Sequence, residues 1–185
     1  MRRLIHSMSV SLDGFIAGPE GEIDWGAPDE ELHRFHNDQT RELDAHLCGR
    51  RLYEEMTYWE TADADPSAPD YVVEFARIWK RLPKIVFSNT LETVVGNSRL
   101  AVGDVAEEVA RVKAEPGGDV GVGGAGLASS LTQLGLIDEY RLFVIPVVLG
   151  GGTPFFPPLE SRIDVELVET RTFASRVVYL RYRRV

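Results

Sequence analysis

Three short stretches place backbone or cationic donors where an apolar run gives way to the next element. Gly121–Leu127 (GVGGAGL) packs four glycines into six residues ahead of a helical pattern. Glycine lets backbone N–H groups approach a phosphate closely, and the start of the following helix favours negative charge. Gly49, Arg50 and Arg51 follow a second apolar run, and guanidinium groups grip phosphate through paired hydrogen bonds. Ser88, Asn89 and Thr90 are small polar groups past a third run, at the kind of strand end where open α/β sheets hold ligands. Together they point to an anionic, phosphate-bearing ligand. Turn glycines and solvated arginines are the plainer reading of each stretch alone.

Gly121-x-Gly123-x-x-Gly126 also matches the dinucleotide fingerprint of the Rossmann fold. That fold needs an acid about 20 residues on, past the next strand, to hold the ribose hydroxyls. Asp138 and Glu139 have the spacing but precede the strand expected over Tyr140–Leu149, so the strict reading fails. Carboxylates at loop and helix-start positions are Asp13, beside Gly14, and Glu30 and Glu31. A buried acid of this kind can serve in proton transfer. Exposed first-turn acids that complement a helix dipole fit the same residues, and Asp13 equally suits a turn. His33 and His36 lie three apart but lack a third ligand at metal spacing, so no metal is expected. His46 and Cys48 can share one face of a strand, and Trp59 and Trp79 fall on apolar helix faces. No nucleophile-elbow serine motif is present.

These residues need a scaffold that presents strand ends. Residues 2–10 alternate as a first strand, and SLDGFIAGPEG reads as loop. Leu32, Phe35, Gln39 and Leu43 recur at helical spacing behind the acids at 29–31. Strands are expected at Ala45–Cys48, Lys84–Ser88, Asp119–Val122, Tyr140–Leu149, Val165–Thr172 and Val177–Tyr182, the last two paired through Ala174 and Ser175. Helices are expected from Gly49, over Tyr71–Leu82, over Val102–Ala114 and over Leu127–Leu134, with Ala62–Asp70 a loop. This alternation predicts an α/β fold: a mainly parallel central sheet with helices on both faces and a C-terminal antiparallel hairpin.

The 185 residues fit one domain, 1–185, and 44% hydrophobic content suffices for its core. A net charge of −9, spread along the chain, argues against a broad nucleic-acid surface. Cys48 is the one cysteine, no apolar run is long enough to span a bilayer, and MRRLIHSMSV lacks a signal-peptide core. A cytoplasmic protein without membrane partners is the expectation.

In order along the chain, SLDGFIA (Ser11–Ala17), GRRLYE (Gly49–Glu54), KIVFSNTL (Lys84–Leu91), GVGGAGL and LIDEYRLFVIPVVLGGGTPFF (Leu136–Phe156) resemble the dihydrofolate reductase superfamily. Over nearly its whole length the chain is most similar to the C-terminal reductase domain of the riboflavin-biosynthesis deaminase/reductase (RibD). No deaminase domain with zinc-ligand cysteines accompanies it, which implies a free-standing bacterial module. The resemblance implies a homodimeric, NADPH-dependent reductase passing a hydride to a C=N or related bond of a pterin- or pyrimidine-like small molecule. Cofactor contacts would fall on Ala17, Gly49, Arg50, Arg51, Ser88, Asn89, Gly123, Gly124, Ala125, Gly126 and Leu127. Trp25 and Gly14 would border the substrate, with Glu30 and Asp13 as the catalytic candidates. Leu52 stands where dihydrofolate reductases usually carry Thr or Ser, and Gly126 where many carry a basic residue. Arg50 and Arg51 are therefore the candidates for recognising a 2′-phosphate. A non-catalytic nucleotide-binding protein that keeps the fold is the alternative.

Overall fold

The computed structural model describes residues 1–185. In chain order it contains β1 (Leu4–Ser11), β2 (Phe15–Ala17), α1 (Glu30–Arg41), β3 (Leu43–Gly49), α2 (Arg50–Met56), α3 (Asp70–Arg81), β4 (Lys84–Phe87), β5 (Ser98–Leu100) and α4 (Val105–Ala114). There follow β6 (Asp119–Gly123), α5 (Ala125–Gln133), β7 (Glu139–Ile145), β8 (Thr153–Pro154), β9 (Val165–Thr172) and β10 (Val178–Arg184). Eight strands form one sheet in the order β5-β4-β3-β6-β1-β7-β10-β9, and β2 and β8 form a separate two-stranded ladder. The six strands from β5 to β7 run parallel, while β10 is antiparallel to both β7 and β9. This is the α/β arrangement that the alternation predicts, including the terminal hairpin.

Strand alternation sorts the residues into two packed layers. Leu4, Leu47, Val120 and Val122 meet Val109 and Val112 of α4 and Leu127 and Leu131 of α5. On the opposite face, Phe143, Ile145 and Tyr179 pack with Leu32 of α1, while Cys48 and Val86 pack with Phe75 and Trp79 of α3. Each such apolar side chain stabilises the fold by about 1.5–3 kcal/mol when fully buried. The helix that carries the acids begins where its cap is: Asp29 accepts a hydrogen bond from the Leu32 N–H at 2.9 Å. Asp104 caps α4 in the same manner, which sets its start at Val105, not Val102.

Four local expectations change. SLDGFIAGPEG contains β2, whose pairing with β8 depends on a partner about 140 residues away. β7 stops at Ile145 because Pro146 has no N–H for the ladder. β5 is three residues long, too short for any period to show. The loop between α2 and α3 contains short 3₁₀ turns, Thr57–Glu60 and Ala62–Ala64. No helix is long and apolar enough to cross a membrane.

Candidate active site

Because β4, β3 and β6 are neighbours in parallel, their C-terminal ends and the loops that follow lie side by side. In register, Gly49 faces Phe87 and Cys48 faces Gly123. The strand ends open into a cleft of about 630 Å³. Gly49, Arg50, Arg51, Ser88, Asn89, Gly124, Ala125, Gly126 and Leu127 all line it. Three stretches far apart in sequence are thus one site. Thr90 and Ser130 add hydroxyls, and Phe87, Ala101 and Val105 add an apolar wall.

The cleft's geometry depends on two glycines touching backbone to backbone. Gly124 has φ +97°, and a Cβ there would lie 3.1 Å from both the Cα and the N of Gly49. A side chain would have to push the β3–α2 turn away from the β6–α5 turn. Gly124 is the N-cap residue of α5, and no side chain caps that helix, so its first-turn N–H groups are left for another acceptor. Around Gly126 a Cβ would meet nothing within 4 Å. Arg50 Nη1 donates to Thr90 Oγ1 at 3.2 Å, and Ser88 Oγ accepts from the N–H groups of Thr90 (3.1 Å) and Leu91 (3.0 Å), fixing the β4 exit turn. Arg50 and Arg51 are exposed, and no Asp or Glu lines the cleft. Uncapped N–H groups, two guanidiniums and an apolar wall fit a phosphate-bearing dinucleotide.

Leu52 lines this cleft and also a second, inner cavity of about 230 Å³ between the sheet and α1, α2 and α3. Its polar lining is Ser7, His36, Gln39, Thr40, His46 and Arg141. A third cavity of about 280 Å³, bounded by Ser9, Ile16, Trp25 and Gly26, meets the second at Ser7, Met8 and His36. Burial pulls the imidazoles of His36 and His46 down to about 4, so both are neutral near pH 7. His46 lies over β6 because that strand presents glycine twice on this face: a Cβ at Gly121 would come within 2.6 Å of the ring, and one at Gly123 within 3.1 Å. His46 Nδ1 is 3.2 Å from Cys48 Sγ, and burial pushes that thiol up to about 12.

The remaining candidates are placed as follows. Gly123 lines the second cavity, not the cleft. Trp25 borders the third cavity, held by a 3.0 Å hydrogen bond from its Nε1 to the Glu22 carbonyl. Ala17 pairs with Thr153 in the β2–β8 ladder, and the Gly14 carbonyl accepts from the Phe155 N–H. Asp13 accepts from Ser11 Oγ (2.7 Å), Leu149 N–H (3.1 Å) and Gly150 N–H (2.7 Å), joining the exit of β1 to the triple-glycine loop. The Ser11 hydroxyl, with those N–H groups, holds its carboxyl below the usual range.

Glu30 is not brought to either cavity. It lies on an exposed flank of α1, where its Oε1 accepts from Arg34 at 2.9 Å while Arg34 also holds Asp70. Glu31 faces the terminal hairpin, accepting from Arg171 and from the Ala174 N–H. One turn on, His33 packs against Trp59, Tyr71 and Phe75, while His36 turns into the cavities over Phe143. The two histidines spaced for a metal therefore face different surroundings. His36 and Arg141 carry little local signal in sequence, because only the packing of α1 over β1 and β7 turns them to the same space.

The family model described as the RibD C-terminal domain matches residues 2–179. The uncharacterized Bacillus subtilis protein YyaP is 37% identical over 183 residues, covering 98% of this chain and 94% of that protein. A putative riboflavin biosynthesis protein from Shewanella sp. PV-4 superposes with a TM-score of 0.77 at 23% identity, over 100% of this chain and 99% of the other. Dihydrofolate reductase from Enterococcus faecalis, complexed with NADP(H), superposes with a TM-score of 0.64 at 20% identity, over 98% and 96% of the two chains.

Proposed function

Since this chain belongs to the RibD C-terminal domain family, we propose that it is an NADPH-dependent reductase acting on a pterin- or pyrimidine-like ring. The observation that carries the reading is continuity: an acid-free, arginine-bearing cleft at three strand ends adjoins, across Leu52, cavities bordered by Trp25 and His36. NADPH, when bound, supplies a hydride to the electrophilic carbon of a C=N or related bond, whose π electrons pass to nitrogen as it takes up a proton. The chain's own residues bind and orient. Gly49 and Gly124 let backbone reach the pyrophosphate, the first turn of α5 donates to it, and Arg50 and Arg51 read the 2′-phosphate. Leu52 excludes water between the cleft and the inner cavity.

Titration with NADPH, followed by cofactor fluorescence, tests the reading: saturable binding below millimolar supports it, and none overturns it. A second reading, nucleotide binding without reduction, is favoured by the outward placement of Glu30. Cofactor binding with no hydride loss to any pterin, pyrimidine or quinone acceptor would select it. A homodimer belongs to the same proposal: β9 is exposed along its whole length, with Val165, Leu167 and Val168 uncovered at the sheet edge. Sedimentation at two concentrations would decide it.

A further inference from the structure

The two inner cavities are unusual in which polar groups they present. No Asp or Glu is among the residues lining either one. At their junction stands His36, tilted on Phe143 with ring centroids 4.2 Å apart. At the floor of the inner cavity stands Arg141, itself 4% exposed. Its Nε donates to Glu139 Oε1 at 2.7 Å and its Nη1 to Gln39, so two of its three nitrogens are fixed and Nη2 remains for the cavity. Arg3 (3.2 Å) and Arg181 (2.8 Å) hold the same carboxylate, and Asp119 on Arg3 and Glu169 on Arg181 balance their charges, so Arg141 acts at the floor through its remaining N–H. The other polar lining is hydroxyl, amide or imidazole: Ser7, Thr40, Gln39 and His46.

We infer that His36 and Arg141 are the substrate-facing specificity residues, and that the substrate ring enters with a hydrogen-bond acceptor edge toward them. The inference rests on reading these cavities as the substrate pocket of the proposed reductase. An aminopyrimidine edge, rich in N–H donors, needs a carboxylate opposite it, and the cavities hold none. An oxo-substituted edge, or its enolate, finds an imidazole N–H at the junction and a guanidinium N–H at the floor. The guanidinium cannot accept, so a donor-bearing edge would leave it unpaired, while the neutral imidazole can turn its N–H to an acceptor edge. The proton taken up by the reduced ring then comes from solvent through the junction, since neither donor is acidic enough to be spent.

Two pteridines with opposite edges test this, using calorimetry on the full chain. Lumazine carries 2,4-dioxo acceptors, and 2,4-diaminopteridine carries amino donors on the same frame. Lumazine should bind about 10-fold or more tightly than the diamino compound, the size of a charge-assisted hydrogen bond. His36→Phe should weaken lumazine about 10-fold while leaving NADPH affinity unchanged; His36→Gln, which keeps a donor, should stay within about threefold of the original. NADPH binding by each variant reports that it is folded. Equal or inverted preference for the two pteridines overturns the inference, as does unaltered lumazine binding by a folded His36→Phe chain. If neither pteridine binds while NADPH saturates, the pocket assignment falls and the cofactor reading stands. If lumazine binds but NADPH does not, the reductase reading falls instead.

Discussion

The His46 imidazole lies directly over Gly121: a Cβ on that glycine would stand 2.6 Å from the ring's Cδ2. The first glycine of GVGGAG is therefore a seat for a side chain of the neighbouring strand, not a phosphate contact. Gly121→Ala should force His46 to move within a packed layer, costing about 1–3 kcal/mol. Gly126, five residues on and with nothing near its Cα, should accept alanine at no loss and with a gain of up to about 1 kcal/mol from helix propensity. Urea unfolding of the two variants checks the contrast, and equal midpoints would show that the motif's glycines are interchangeable.

Arg50 and Arg51 flank the cleft with no acid to neutralise them. Replacing both by alanine should weaken NADPH by about 10–100-fold, the size of one charge-assisted contact. NADH, lacking the 2′-phosphate, should lose far less. Fluorescence titrations with both cofactors measure this, and equal losses would remove these residues from 2′-phosphate recognition.

Glu30 pairs with Arg34 on the surface of α1. Exposed pairs of this type contribute about 0–1 kcal/mol, so Glu30→Gln should shift stability by no more than that. NADPH oxidation with any acceptor the protein reduces should stay within about twofold, by the same distance from the cavities. A large fall in turnover with unchanged cofactor affinity would restore Glu30 as a proton-transfer group.

His6 is 1% exposed, stacks on Phe155 at 4.4 Å, and neither ring nitrogen has a hydrogen bond of good geometry. Burial lowers its imidazole to about 4. Below about pH 6.5 the unfolded chain takes up this proton and the folded chain does not, so stability falls as pH drops from there to about 4. The loss for this one histidine is on the order of 3 kcal/mol. His6→Leu should therefore move the acid unfolding limb to lower pH while changing stability at pH 7 little. Circular dichroism against pH would detect the shift, and an unmoved limb would assign acid unfolding to other groups.

Glu139, fully buried, holds together Arg3 just before β1, Arg141 of β7 and Arg181 of β10. Burial opposes its charge, yet the Arg181 and Arg141 guanidiniums hold the carboxyl below the usual range. Glu139→Gln leaves those guanidiniums without their shared anion and should destabilise by about 3–5 kcal/mol. Loss of less than about 1 kcal/mol in chemical denaturation would mean that water or Asp119 and Glu169 take over.

Glu139 also marks where sequence reading stops. Its place ahead of the Tyr140–Leu149 run already excluded a ribose contact, but only the tertiary structure shows that it sits inside an arginine cluster. The elements were legible because side-chain type has a period: Val120 and Val122 alternate with Gly121 and Gly123, and Leu32 is followed by Phe35 and Gln39. The strand-end stretches were legible because three of them recur at the ends of apolar runs, and ten residues read from them line one cleft. Glu30 and Glu31 read equally well as pocket acids or as surface acids, since a one-residue step turns a helical side chain by about 100°. Only the docking of α1 decides which residues face inward, and it selects His36. Chain order and local chemistry were thus the sequence's own to determine; which way each side chain of α1 and β6 faces was decided by packing between segments about 100 residues apart.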